Sequence, residues 1–282
     1  MIRQLFILFF LLLMFPSVQA QVGLFEKPEA VQKKEKREQK YENRRDEKGR
    51  RQGDWMRYHP NGTPAYKARF VDDQPVDTLV RYYKNGNKYV EIVFDENTNR
   101  GKGKFYSEGG NLLGEGFYLN MQKDSVWHFY DMEGNLKAKE EFQFDEKAGR
   151  SEIYFDTGEL AAEVTYEKGE KQGIEKRYYP DGTLRVKISY REGNLHGPYA
   201  VYFENGQKEI EGFYENNLRD STWIFYDALG RKSFTLLYEE GIVQNEHLLT
   251  EKEMEEFQRY EENRKKLKDP ENFMGNPEEY LR

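Results

Sequence analysis

Between residues 184 and 190 apolar and polar side chains alternate, with Leu184, Val186, Ile188 and Tyr190 set against Arg185, Lys187 and Ser189. That is the period of a β-strand with one covered face. Leu160, Ala162, Val164 and Tyr166 repeat it one unit earlier. The strand is preceded by Pro180-Asp181-Gly182, which supplies a preset φ, a turn former and a residue tolerant of positive φ. This order predicts a type I turn closed by a glycine bulge between two antiparallel strands. Pro60-Asn61-Gly62 has the same chemistry, and Asn85-Gly86 and Asn205-Gly206 echo it.

The hairpin recurs. A tyrosine returns every 24 residues, at Tyr58, Tyr82, Tyr106, Tyr130, Tyr154, Tyr178, Tyr202 and Tyr226. Four residues after each stands a glycine: Gly62, Gly86, Gly110, Gly134, Gly158, Gly182, Gly206 and Gly230. Twelve residues after each stands a second ring: Phe70, Phe94, Tyr118, Phe142, Tyr166, Tyr190, Tyr214 and Tyr238. Three series in one register are an internal repeat. Connectors as short as Glu167 to Gly173 permit only antiparallel neighbours. The expected fold is therefore all-β, an elongated single-layer antiparallel meander of eight hairpins over residues 49–245, twisted or coiled along its length. Sixteen strands at about 4.8 Å spacing would run on the order of 75 Å.

With that turn geometry, the residues six and eight after the repeat tyrosine are expected to share a face with it and with the second ring. Sixteen rings would then line one side of the sheet. Trp55, Trp127, Tyr199 and Trp223, each three residues before a repeat tyrosine, would point to the opposite face beside Phe129, Val201 and Phe225. Aromatics on an otherwise polar face form either a docking surface for a protein, glycan or lipid, or intermittent packing against the terminal segments.

The pattern Gly-x4-Tyr-Tyr/Phe-x-Asn/Asp-Gly followed by a spaced tyrosine and Gly-x3-Gly resembles MORN repeats. Tyr178 to Gly182 with Tyr190 to Gly197, and Tyr202 to Gly206, carry the resemblance best. The variant it is most similar to occurs in bacterial proteins labelled YwqK-family antitoxins. Asp77, Ser125 and Ser221 depart from it at a glycine position, and the third repeat is unusually rich in glycine. The resemblance implies an all-β ribbon used for binding or scaffolding, and it brings no catalytic residue.

The chain's first twenty residues read differently. One cation, an apolar run from Leu5 to Phe15 and Val18-Gln19-Ala20 make a secretory signal peptide cleaved after Ala20. The run is too short to span a bilayer, which takes roughly 20 residues. The expected location is periplasmic or extracellular, and with no cysteine in the chain it is not a lipoprotein. Residues 21–48 are mostly charged and read as a solvated spacer, flexible or helical. At the other end Thr250 and Glu253 form a capping-box pattern opening a helix within residues 246–268. Met254, Phe257, Tyr260 and Leu267 lie near one face of it. It either covers the final sheet edge or binds a partner. Residues 269–282 form a polar tail.

Composition narrows the function. Charged residues make up 34% of the chain and the mean hydropathy is −1.00, values typical of disorder, yet aromatics at 15% supply a ring-based apolar surface. A formal net charge of −7 disfavours nucleic acid or an anionic membrane as partner. His59, His128, His196 and His247 show no ligand spacing and read as surface histidines, so no metal or other cofactor is expected. Carboxylate pairs such as Glu140-Glu141 are expected in so acidic a chain without catalysis, and neither a nucleophile motif nor a phosphate loop occurs. The reading is an exported, non-enzymatic binding or scaffold protein whose partner is a protein or an envelope polymer. Its candidate partner-binding face is Trp55, Trp127, Phe129, Tyr199, Trp223 and Phe225. An antitoxin or immunity role is the first alternative and a secreted hydrolase the lesser one. The oligomeric state is not legible.

Overall fold

The computed structural model describes residues 42–96 and 98–266. The leader, residues 21–41 of the charged spacer and the polar tail lie outside them. Nine strands fill the first half of the array: β1 (Arg44–Arg45), β2 (Arg51–Tyr58), β3 (Pro64–Val71), β4 (Gln74–Tyr82), β5 (Lys88–Phe94), β6 (Arg100–Tyr106), β7 (Leu112–Leu119), β8 (Gln122–Tyr130) and β9 (Leu136–Gln143). Nine more follow: β10 (Glu146–Tyr154), β11 (Leu160–Glu167), β12 (Glu170–Tyr178), β13 (Leu184–Arg191), β14 (Asn194–Tyr202), β15 (Lys208–Glu215), β16 (Leu218–Tyr226), β17 (Lys232–Glu239) and β18 (Ile242–Val243). A short 3-10 turn (Glu246–Leu248) and one helix, α1 (Glu251–Lys266), close the array. Every strand pairs antiparallel with the next, so the eight hairpins join into one open meander. The two additional strands, β1 and β18, are two-residue pieces at its ends.

The turn chemistry is as the sequence predicts. Gly182 N–H donates to Tyr179 O at 2.9 Å, Tyr179 N–H donates to Thr183 O at 2.8 Å, and Gly182 takes φ +84°. A side chain there would adopt the left-handed region at a steric cost that glycine avoids. Consecutive turns are also tied to each other. Asn61 Nδ2 donates to Lys84 O at 2.7 Å, Asn85 Nδ2 to Glu108 O at 2.9 Å and Asn205 Nδ2 to Ala228 O at 2.8 Å. The Tyr83 and Tyr179 hydroxyls donate to Tyr106 O and Tyr202 O, each at 2.8 Å. At the opposite ends of the strands, two-residue connectors such as Lys168-Gly169, with φ +51° and +81°, form the mirror-image turns that suit twisted hairpins.

Each hairpin carries a bulge that the alternation does not reveal. Arg177 stands opposite Val186, but Tyr178 stands opposite Leu184, which leaves Arg185 as an extra residue. The same shift recurs at the repeat tyrosine of all eight hairpins. Its effect is to move the second ring off the tyrosine's face and onto the tryptophan's. The expectation of sixteen rings on one side is thereby corrected to eight tyrosines on one face, and second rings with tryptophans on the other.

Both ends are closed by asparagine. Asn43 Oδ1 accepts from Met56 N–H at 2.8 Å, and Asn245 Oδ1 accepts from Leu237 N–H at 2.8 Å while its Nδ2 donates to Thr235 O at 3.0 Å. A side-chain amide thus stands in for the missing strand and blunts an edge that would otherwise template another chain. Residues 42–48, read from sequence as the end of a spacer, instead belong to the sheet through β1 and the turn closed by Gly49 N–H to Asp46 O at 2.9 Å.

Helix α1 opens with the expected capping box, Thr250 N–H donating to Glu253 Oε2 at 2.7 Å. It does not lie on the sheet edge. Its apolar stripe packs on the second-ring face, with Phe257 6.4 Å and Tyr260 5.3 Å from Phe225 between ring centroids. Arg219, buried in that contact, donates to Glu261 at 2.6 Å and to the Tyr238 hydroxyl at 2.7 Å. Glu261→Gln is expected to cost about 2 kcal/mol, the worth of a hydrogen bond to a charged group. Faster tryptic cleavage at Arg259 with a lower unfolding midpoint would show it, and an unchanged digest would show that this pair does not hold the helix.

Candidate binding surface

Positions are counted here from each repeat tyrosine as zero. Position −3 runs Trp55, Leu79, Gly103, Trp127, Ser151, Glu175, Tyr199 and Trp223 along one cross-strand row. The structure places this row inside the core. Trp127 and Trp223 are 0% exposed, and Trp55, Phe129 and Phe225 are buried with them. Tyr199 is half-buried against Trp223 at 5.3 Å. All six residues of the candidate partner-binding face are therefore packing residues. The bulge is the reason, because it brings Phe70, Tyr118, Phe142, Tyr214 and Tyr238 round beside them. Trp55 meets Phe70 at 6.1 Å, Trp127 meets Tyr118 at 4.9 Å, and Trp223 meets Tyr214 at 5.1 Å. Edge-to-face contacts of this kind add about 0.5–1.5 kcal/mol each beyond area burial.

Trp127 and Trp223 lie flat over glycine. A Cβ at Gly116 would sit 2.4 Å from the Trp127 ring, and one at Gly212 would sit 2.3 Å from Trp223. Gly103 and Gly114 serve Tyr118 and Phe105 in the same way, which explains the glycine-rich third repeat. The indole N–H groups of Trp127 and Trp223 donate to a backbone carbonyl ten residues earlier, Phe117 O at 3.0 Å and Phe213 O at 3.2 Å, and that of Trp55 donates to Gln52 O at 3.1 Å and Arg44 O at 3.2 Å. Cations at position −7 close the rings from the side. Arg51 stands 3.9 Å from the Phe70 ring, Lys123 4.9 Å from Phe142, Lys147 4.9 Å from Tyr166 and Arg219 4.7 Å from Trp223. The sequence reading missed this series, although Lys123, Lys147 and Lys171 keep the 24-residue period.

In repeats five and six the row turns polar. Ser151 and Glu175 are each 2% exposed at the position that Trp55, Trp127, Tyr199 and Trp223 take in other repeats. Glu175 is held by Lys171 at 2.9 Å and by Arg177 Nε, and Glu140 by Lys147 at 2.7 Å. Buried charge is kept here by pairing.

The opposite face carries the repeat tyrosines. Seven are half-buried and Tyr58 is 60% exposed. Four of the eight hydroxyls find glutamates fifteen residues earlier. Tyr106 donates to Glu91 at 3.4 Å, Tyr130 to Glu115 at 3.1 Å and Tyr178 to Glu163 at 2.7 Å, and Tyr226 donates to Glu211. Where that position holds Lys139, Tyr154 donates to Glu152 at 2.6 Å instead. The glutamates of those four pairs stand on the preceding strand, diagonal to the tyrosine in the register. Positions −2 and +9 alternate in one row beside the rings, with Lys104, Glu115, His128, Lys139, Glu152, Glu163 and Lys176 in its middle. Neighbours in it pair, as in Lys176 with Glu163 at 3.0 Å and Lys139 with Glu152 at 3.9 Å. The other histidines stand apart: His59 Nε2 bonds Tyr82 O at 2.9 Å, and His196 is half-buried against Phe213 rather than on the surface. Among the described residues no group of His, Asp or Glu is placed to hold a metal.

Burial and the hydrogen bond to Glu163 push the Tyr178 hydroxyl up to about 12, and burial does the same for Tyr83 and Tyr199. Burial and the adjoining glutamates also raise Tyr106 and Tyr130. Folding thus favours the protonated phenol. Stability is full below about pH 10, where phenols of unfolded chains titrate, and is lost as pH rises from there towards 12. A falling thermal midpoint over that window, with phenolate absorbance lagging free tyrosine, is the expected result. A flat midpoint would contradict it.

Comparison with known families agrees with this geometry. Residues 51–72, 100–120, 147–168, 171–192 and 195–216 match the MORN repeat variant. Each segment is one hairpin with its flanking connector. The three hairpins without a match are those with Asp77, Ser125 and Ser221 at position −5, where the chain nonetheless takes φ of +58°, +61° and +59°. No curated protein matches the chain. One similar solved chain, from a structure titled "Crystal Structure of TcdB2-TccC3-Cdc42", shares 12% identity over 67% of this chain with a TM-score of 0.21. This chain spans only 12% of that one, and so loose a superposition adds nothing to the fold seen directly.

Proposed function

We propose that this chain is an exported, non-catalytic binding scaffold that presents its tyrosine face to a partner in the cell envelope. The observation that supports it is the division of the rings. The tryptophan face is consumed by packing, and the half-buried tyrosines are the aromatic surface left towards solvent. MORN-type hairpins are consistent with a repeat-based scaffold. The leader pattern ending at Ala20 supports export. Among the described residues no helix is long and apolar enough to cross a membrane.

The test is a crosslinked pull-down from envelope extract with wild type beside Tyr106→Ala plus Tyr130→Ala. A discrete partner retained by wild type and lost by the variant is expected. Recovery that is equal for both proteins, or absent from both, overturns the choice of face. N-terminal sequencing of protein from the extracytoplasmic fraction should begin at Gln21, and an intact Met1 would overturn the export reading.

A further inference from the structure

Helix α1 covers the second-ring face of the last two repeats without closing it completely. A cavity of about 420 Å³ remains between the helix and the sheet on the side of the connectors, a volume within the range of small-molecule sites. Tyr214 and Tyr238 line it from the sheet and Phe257 from α1, and all three are buried. Leu218, which is 48% exposed, stands at its entrance. Arg219 also reaches the cavity, but it is already engaged: it donates to Glu261 Oε1 at 2.6 Å and to the Tyr238 hydroxyl at 2.7 Å. The other ionised group in the lining is Glu246, which is exposed. The two connectors at the entrance, residues 215–218 and 239–242, add Glu215, Glu239 and Glu240 and no cation. The interior is therefore aromatic and the mouth anionic. We infer that this cavity binds a primary alkylamine, its chain held among Tyr214, Tyr238 and Phe257 and its ammonium left at the mouth beside Glu246.

Charge selects the head group because the mouth is not neutralised from within. On the tyrosine face Glu91, Glu115, Glu163 and Glu211 are each paired with a lysine. Glu239, Glu240 and Glu246 have no ion-pair partner among the described residues. A cleft lined by one sign of charge raises the local concentration of the opposite sign. An ammonium drawn down to the floor would lose its water and meet Arg219, so the stable arrangement keeps the head in partial solvation and buries only the chain. A carboxylate on the same chain would meet like charge at the mouth, and Glu261 already occupies Arg219. An alcohol would bury its chain equally well but gain nothing from the glutamates. The expected order of affinity is amine, then alcohol, then carboxylate. The cavity lies on the second-ring face, away from the repeat tyrosines, so an amine here and a partner on the tyrosine face do not compete for the same residues.

Titration of the intact protein with hexylamine at pH 7, where an alkylamine like a lysine is charged, tests this by amide resonances in nitrogen–proton correlation spectra. Saturable shifts at Leu218, Gly241 and Val243 are expected. Hexanol should bind more weakly at the same residues, and hexanoate should not bind at the same concentration. Methylammonium, which has the charge without the chain, should not bind either. Glu246→Gln should weaken hexylamine about two- to five-fold, the worth of one exposed ion pair, and leave hexanol unchanged. Leu218→Lys places a tethered ammonium at the entrance and should abolish hexylamine binding. Unshifted amides of α1 in the unliganded spectra check that each variant is folded. Hexanoate binding as tightly as hexylamine, equal shifts with methylammonium, shifts confined to residues away from the cavity, or wild-type affinity in either folded variant would overturn the inference.

Discussion

Trp223→Ala is expected to lower the unfolding free energy by about 3–5 kcal/mol, the usual cost of deleting a large buried ring. The side chain is 0% exposed and touches Tyr199, Tyr214 and Tyr238 with ring centroids 5.3, 5.1 and 5.9 Å away. Its loss also orphans the bond from Nε1 to Phe213 O at 3.2 Å and removes part of the floor under α1. In a repeat array each unit contacts chiefly its neighbours, so the damage should concentrate in the last two hairpins and the helix. Urea unfolding followed by hydrogen exchange reads both size and place. Protection should fall from β14 onward and persist around Trp127, which sits in a separate cluster. A Trp223→Ala protein with wild-type stability would mean that this ring is a surface group after all. The same logic makes tryptophan variants poor probes of binding, because they report folding first.

How far the sequence reaches can be judged from two features of one hairpin. The turn at Pro180-Asp181-Gly182 is legible because each residue has one conformational reason to be there. The bulge a few residues later is not. Position +7 holds Ala65, Tyr89, Leu113, Lys137, Ala161, Arg185, Glu209 and Ser233, which share no chemistry. What fixes the bulge is the fit of two rows of rings across strands, a tertiary cause with no local mark. Since a one-residue shift exchanges the faces, that single omission misplaced the second ring and made the core resemble a docking surface. The helix shows the same limit. Thr250 and Glu253 announce its start, but only the floor offered by Phe225 and Arg219 decides that it lies on the face and not along the edge. The tyrosine face was readable in principle, since Glu91, Glu115, Glu163 and Glu211 keep one register at position +9. The signal was lost by attending to rings and not to their hydroxyls.

Gly212→Ala should destabilise by about 1–3 kcal/mol, the range for forcing one methyl into a filled core. Alanine at an ordinary strand position would instead gain about 0.4–1 kcal/mol by restricting the unfolded chain. The sign is decided by space. Gly212 has an ordinary φ, but its added Cβ would lie 2.3 Å from Trp223 Cδ2 and 2.4 Å from Cε2. That ring is wedged among three tyrosines and cannot move aside as a flexible side chain would. Removing the ring should therefore remove the penalty. In a Trp223→Leu background, Gly212→Ala is expected to become neutral or stabilising, a coupling of about 1–3 kcal/mol in a double-mutant cycle. Gly116 with Trp127 is the same pair four repeats earlier and should behave alike. Additive effects of the two substitutions would show that glycine is needed there for its backbone, and that the flat seat of the indole is not what selects it.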